Sequence, residues 1–198
     1  RQQFREDLKN LKPGILFLGD WKYLEVGEVS LPEHAELEGM TYEALGKKWG
    51  IEPLDAFFEL GIKENLKNHV IGKFFNHIDA GVAPLLKHSS SVVTLSDAGA
   101  HLIYMCDAAF GLHFLGHWLR KTGEFTLEEG IRRITSQAAD RFKIPNRGRL
   151  IKGSPADMLL FDPQDVGMTK LETLHDLPGG GARKVRAGTG IHGVWVNG

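Results

Sequence analysis

The chain has 198 residues, 42% of them hydrophobic, and a formal net charge of −1. That length supports one domain, or one domain with part of another, and the hydrophobic content is enough for a packed core. The absence of a long Lys/Arg cluster argues against nucleic acid as a partner, the absence of any apolar run near ~20 residues argues against a membrane helix, and the single cysteine, Cys106, cannot close an internal disulfide, which fits a reducing, cytoplasmic setting.

In chain order, Gln3 to Leu11 reads as a helix with Phe4, Leu8 and Leu11 on one face and Pro13-Gly14 ending it. Ile15 to Leu18 and Tyr23 to Val26 are short strand candidates around a Gly19-Asp20 turn, and Pro32 to Gly39 is polar and irregular. Thr41 to Gly50 and Pro53 to Ile62 read as two helices, the second with Pro53 in its first turn. Glu64 to Phe75 is ambiguous, and Ile78, Val82, Leu85 and Leu86 mark a helix. Ser91 to Thr94 is a β-branched run between polar residues and a small-residue turn, which predicts a buried strand ending at Asp97. A loop over Leu102 to Asp107 leads to a helix from Ala108 to Lys121, ended by Gly123. Thr126-Leu127-Glu128-Glu129 is a capping-box pattern, and Leu127, Ile131, Ile134, Ala138 and Phe142 continue at helical spacing until Pro145. From Asn146 onward, Gly and Pro punctuate short apolar runs, a β-rich texture that ends on a strand running into Asn197-Gly198. An opening Arg1 and a closing hairpin-type Asn-Gly lead us to expect a piece of a longer protein.

Asp97 is the only carboxylate placed at a strand end beside a small-residue turn, Ala98-Gly99-Ala100. In a parallel α/β architecture that edge gathers catalytic groups, so Asp97 is a candidate metal ligand or general base. The equal alternative is a side-chain cap for the next turn. His101 could reach the same cleft, though a hydrogen bond to a backbone carbonyl is the favoured role. His113 and His117 have the i, i+4 spacing of metal ligands, but Phe114 stands where a His-Glu-x-x-His motif needs Glu, and Trp118 favours a core-facing helix. Cys106 reads as a small buried hydrophobe. Gly179-Gly180-Gly181 lacks the Lys-Ser/Thr of a phosphate loop and reads as a solvated loop.

Three segments together carry a family resemblance. They are Thr94 to His101; Gly116-His117-Trp118 with Leu127-Glu128-Glu129 and Ile134 to Ala139; and Arg147-Gly148-Arg149-Leu150, Gly153, Ala156 to Pro163, His175 to Pro178 and Val194 to Gly198. The chain resembles the C-terminal part of an N-acyl-D-amino-acid deacylase (D-aminoacylase-like) protein of the amidohydrolase superfamily. The resemblance implies an α/β fold: the end of a metal-dependent (β/α)8 barrel over residues 1–145, with a lid-like insertion at about 16–76, and a small β-sandwich portion over 146–198. It implies that Asp97 is a zinc ligand and proton shuttle, that Thr126 to Phe142 is the last barrel helix, and that the substrate is a small N-acyl amino acid or related amide. The family's His-x-His pair does not occur in this chain, and no Arg lies between His101 and Phe110, where characterised D-aminoacylases carry one for the substrate carboxylate. A cyclic amide therefore stays open as substrate, and so does a catalytically inactive, self-associating fragment, whose unpaired strand edges would form homo-oligomers.

Overall fold

The computed structural model describes residues 1–11, 14 and 17–198. The expected helix stop at Pro13 and the Ile15–Leu16 half of the first strand candidate lie outside them; Phe17 and Leu18 belong to no strand. The chain divides into two units, Arg1–Val82 and Ala83–Gly198.

In the first unit, helix α1 (Gln2–Lys9) sets Phe4 edge-on to Phe58, 5.1 Å between ring centres. Strand β1 (Leu24–Val26) pairs antiparallel with β2 (Val70–Gly72), the three residues of the ambiguous stretch that form a strand. Thr41 caps α2 (Tyr42–Trp49): its hydroxyl accepts the Ala44 N–H at 3.1 Å, and Gly50 ends the helix with φ +67°. Helix α3 (Pro53–Lys63) follows at once. A Cβ on Gly46 would lie 2.8 Å from the Ile51 carbonyl oxygen and 3.0 Å from the Pro53 nitrogen, so the α2–α3 corner requires glycine there. The segment expected to be irregular holds a 3-10 turn, Pro32–Leu37. Leu24, Val26, Leu37, Tyr42, Leu45, Ala56 and Leu60 form one buried core. Tyr42 is wholly enclosed; burial pushes its phenol up to about 12, against the hydrogen bond that its hydroxyl accepts from Asn68.

Glu64, just past α3, is the polar centre of this unit. Its carboxylate is buried and accepts the Ser30 N–H at 2.6 Å, the Ser30 hydroxyl at 2.6 Å and the Leu31 N–H at 3.3 Å, and it is hydrogen-bonded to His34 Nδ1. Burial pushes the acid up, but these bonds outweigh it and hold the carboxyl at about 2. The charge therefore satisfies donors at the start of the Pro32–Leu37 turn, which would otherwise lack partners.

The division between the units falls within α4 (Asp79–Lys87). In the second unit, α5 (Phe110–His113) runs on as a π-wound segment, Phe114–Lys121, where the sequence predicted one continuous helix. Phe114, Leu115 and Trp118 are buried there, with Phe125 and Val166. The predicted Thr126–Phe142 helix is broken. Helix α6 (Leu127–Ile134) and α7 (Ser136–Arg141) meet at Thr135, whose φ of −123° and ψ of −92° are not helical. The Thr135 hydroxyl donates to the Ile131 carbonyl at 2.6 Å, a back-bond that favours bending. Half of the capping box forms: Thr126 accepts the Glu129 N–H at 3.2 Å, while the Glu129 carboxylate binds Arg132 and Arg133. The buried positions include Gly130, Arg133, Gln137 and Ala139, and Leu127 and Phe142 of the expected apolar stripe are exposed.

The tail is β-rich, as its texture indicated. Strands β3 (Met158–Phe161), β4 (Gly167–Met168), β5 (Glu172–Leu177), β6 (Gly181–Val185), β7 (Gly188–Thr189) and β8 (Ile191–Trp195) pair antiparallel as β5–β6, β4–β7 and β3–β8. The pairs nest like one interrupted hairpin about an exposed Pro178–Gly180 turn. The partner of the last strand is thus Met158–Phe161 upstream. Among the described residues no helix is long and apolar enough to cross a membrane.

Replacing Glu64 by Gln should cost about 3 kcal/mol of unfolding free energy at neutral pH, the scale of hydrogen bonds to a charged group. Because the folded carboxyl lies at about 2, below its ordinary 4.5, this contribution is complete above pH 4.5 and is lost as the pH falls through about 2. Urea titrations should therefore show the gap between wild type and Glu64→Gln closing in acid.

Candidate functional site around Asp97

Ser91 to Asp97 does not form the predicted strand. A strand exists through its ladder, and among the described residues no strand pairs with this run. Ser91 to Thr94 are half-buried, and Leu95 is 86% exposed.

The start of the run is nonetheless held. Arg133 donates through Nη1 to the Leu86 carbonyl at 2.6 Å and through Nη2 to the Lys87 carbonyl at 3.0 Å, while its Nε binds Glu129 at 2.7 Å and its guanidinium stands 5.1 Å from the Phe125 ring centre. Gln137 Nε2 donates to the Ser91 carbonyl at 2.8 Å, and Arg141 Nη2 reaches the Ser89 carbonyl at 3.4 Å. Arg133 stands on α6 and Gln137 and Arg141 on α7, so side chains from both sides of the Thr135 break carry these contacts. The Ser91 hydroxyl closes the corner by donating to the Leu85 carbonyl at 2.6 Å.

Asp97 itself is exposed. The Ala98 N–H donates to the Ser96 hydroxyl at 3.2 Å, and the Ala100 N–H to the Asp97 carbonyl at 3.0 Å. The turn is thus closed without the Asp97 carboxylate, which has no hydrogen-bond or ion-pair partner among the described residues. Gly99 at φ +90° allows the reversal. His101 is exposed at φ +50°; its main-chain carbonyl accepts the Tyr104 N–H at 2.8 Å, and no hydrogen bond joins its ring to a backbone carbonyl or to Asp97 among the described residues. The loop beyond is fixed by the Lys184 N–H, which donates to the Leu102 carbonyl at 2.7 Å. Cys106 is half-buried and free.

His113 and His117 stack face to face, 5.0 Å between ring centres and 10° from parallel, and His117 meets Trp118 edge-on at 5.1 Å. They line a hollow of about 410 Å³ with Arg120 and Met168. Among the described residues, no group of three or more His, Cys, Asp or Glu is placed to hold a metal ion. A zinc site takes three or four protein ligands, so Asp97 in this chain is at most one of them and these residues do not fit zinc by themselves.

The tail motif proves structural. The Asn197 N–H donates to Asp157 Oδ1 at 2.9 Å, the Gly198 N–H to the Ala156 carbonyl at 3.1 Å, and Arg147 to Asp157 Oδ2 at 2.5 Å. The Asn197 N–H and Arg147 together hold the Asp157 carboxyl below the usual carboxylate range. Arg149 grips Asp140 with two bonds, of 2.9 and 2.7 Å. Sequence reasoning missed Glu64 and the Arg133–Gln137–Arg141 row. The one available signal was polar residues interrupting an apolar helical stripe.

Replacing Arg133 by Met removes the donors of two carbonyls and should cost about 3 kcal/mol. Hydrogen exchange should quicken first in the 86–91 segment, before the β5–β6 hairpin is affected.

No family model matches the chain. An uncharacterized protein of Mycobacterium tuberculosis is 29% identical over 169 residues, 82% of this chain and 27% of that protein. D-aminoacylase of Alcaligenes xylosoxydans xylosoxydans is 37% identical over 84 residues, 42% of this chain and 16% of that protein, and N-acyl-D-aspartate deacylase of the same organism is 35% identical over 80 residues, 40% and 14%. Among solved structures, a D-aminoacylase aligns with a TM-score of 0.45 at 24% identity, over 88% of this chain and 33% of that one. The N-acyl-D-glutamate deacylase of Bordetella bronchiseptica, complexed with zinc and a phosphonate inhibitor, aligns with a TM-score of 0.44 at 24% identity, over 90% and 34%. The chain spans about a quarter of the length of the first of these relatives. By sequence comparison this chain is similar to D-aminoacylase and N-acyl-D-aspartate deacylase over about two-fifths of its length.

Proposed function

We propose that this chain is the C-terminal part of a longer, cytoplasmic, metal-dependent hydrolase that cleaves the amide bond of small N-acyl amino acids. The observation that carries the reading is the uncommitted Asp97 carboxylate, at the end of a segment tethered by the Arg133 row, in a chain similar to D-aminoacylase. In this reading residues 1–145 complete the (β/α)8 barrel, about 16–76 form its lid, and 146–198 belong to the small β-sandwich. Asp97 is one zinc ligand among others supplied from outside this chain. Its chemical task is to take a proton from the attacking water and return it to the leaving amine nitrogen, for which an exposed carboxylate with no internal partner is suited. His101, on the same turn, lies on the substrate side. With no Arg between His101 and Phe110, the substrate carboxylate needs another cation, and a cyclic amide, which has no such carboxylate to bind, is the alternative substrate.

A second reading rests on the exposed strands. Leu159, Leu160 and Val194 are 45%, 55% and 67% exposed, so the β3–β8 pair presents apolar side chains on an open ribbon. As an isolated chain the protein then self-associates through such surfaces and is catalytically inactive.

In the complete protein, Asp97→Asn should lower turnover of N-acyl-D-amino acids by about 100-fold or more and leave the unfolding midpoint unchanged. Wild-type turnover in the variant would eliminate the role. Parallel assays with hydantoins decide between linear and cyclic amides. Light scattering of the 198-residue chain tests self-association, and a stable monomer would exclude it.

A further inference from the structure

The β4–β7 ribbon lies against the helix that carries His113 and His117, and two glycines set how closely. A Cβ on Gly116 would stand 2.8 Å from the Val166 carbonyl oxygen and 3.2 Å from the Gly167 Cα, so the strand backbone presses on the helix within the histidine turn. A Cβ on Gly188 would stand 2.9 Å from Leu112 Cδ1, so β7 presses on the residue just before His113. Met168 follows Gly167 and is the register partner of Gly188. It is therefore held beside the histidine turn, and it lines the same hollow of about 410 Å³ as both imidazoles. The wall of that hollow has no carboxylate and no thiol, and its charged members are Arg120 and Lys121. Arg120 donates to the Gln164 carbonyl at 2.7 Å.

Three side chains here offer a lone pair to a metal, and none of them brings a negative charge. The four-residue spacing sets the imidazoles on one side of the helix, with ring centres 5.0 Å apart. Nitrogens that bind one metal at about 2.0 Å each lie within about 4 Å of one another, and rings at this separation reach that arrangement by turning about Cβ–Cγ. An imidazole has two nitrogens, so a hydrogen bond at one leaves the other for a metal and holds the ring in place. The thioether of Met168 is a soft ligand of the kind that suits copper(I), while magnesium and calcium need the carboxylates and carbonyls of a harder site. Charge separates copper(I) from zinc. A divalent ion beside Arg120 and Lys121, with no anion in the wall, meets repulsion that nothing offsets, and a monovalent ion meets half of it. We propose that His113, His117 and Met168 form a copper(I) site. It is independent of the hydrolase reading and does not involve Asp97.

The test is anaerobic titration of the 198-residue chain with copper(I) at neutral pH, in competition with a coloured copper(I) chelator, and with zinc in parallel. His113→Ala and Met168→Leu should each weaken copper(I) binding by about tenfold or more. Their circular dichroism spectra should match the wild type, since His113 is exposed and Met to Leu nearly conserves volume. Zinc should bind more weakly than copper(I) and be indifferent to Met168→Leu. His117→Ala should act as His113→Ala does. The His117 ring meets Trp118 edge-on, so if that variant loses its fold the other two decide. Cys106 is free, and its thiol also attracts copper(I). Copper held there survives the His113 and Met168 substitutions and is lost in Cys106→Ser. The site is refuted by that pattern, by zinc binding at least as tightly as copper(I), or by no uptake of copper(I) against the chelator.

Discussion

Arg133 is the contact on which the second unit depends. A helix ends with carbonyls that have no internal partner, and α4 ends at Lys87 with no glycine to cap it. Arg133 supplies donors to the Leu86 and Lys87 carbonyls from a side chain buried in its own helix face, with Glu129 balancing its charge and Phe125 beneath it. Gln137 and Arg141 continue the row onto the Ser91 and Ser89 carbonyls. Four carbonyls between 86 and 91, those of Leu86, Lys87, Ser89 and Ser91, thus accept from these three side chains. The row crosses the α6–α7 break at Thr135, so the bend sets the direction from which Gln137 approaches Ser91.

The first unit solves the same problem with the opposite sign. There a buried anion, Glu64, collects N–H and O–H donors from Ser30 and Leu31, and His34 completes the set. In each unit a single ionised side chain ties a helix to backbone distant in sequence, irregular at Ser30–Leu31 and the end of α4 at Leu86–Lys87. Neutral partners would bind each group more weakly. The charges are tolerable because their bonding capacity is filled: every Arg133 nitrogen has an acceptor, and Glu64 has several donors.

Such contacts explain what the sequence could and could not reveal. Thr41, Gly50, Pro53 and Thr126 act on neighbours within four residues, and the helix boundaries read from them agree with the structure to within a residue or so. Glu64 meets Ser30 across 34 residues, and Arg133 meets Leu86 across 47; neither distance has a local signature. The apolar stripe through Leu127 and Phe142 suggested the wrong buried face, because Arg133 and Gln137 are buried by hydrogen bonding rather than by hydrophobicity. The strand before Asp97 was misread for a related reason: β-branched residues describe a preference that only a neighbouring strand can realise. The tail motif was legible as a pattern, and its physical content emerged only when Asp157 and Ala156 proved to bind Asn197 and Gly198.

The case for Asp97 rests on what the turn does without it. An aspartate at such a corner ordinarily accepts the N–H two residues on. Here the Ser96 hydroxyl serves the Ala98 N–H, and the Asp97 main-chain carbonyl serves the Ala100 N–H. Replacing the carboxylate would leave every hydrogen bond of the corner in place. A side chain that contributes nothing to the turn, on a segment anchored by Gln137 and by the Leu102–Lys184 contact, is free to meet an external cation or proton. The carboxylates at 64, 129, 140, 157 and 176, by contrast, are each bound to donors within the chain. Asp107, Glu128 and Glu172 also lack side-chain partners among the described residues, so what sets Asp97 apart is its place at the end of the anchored segment.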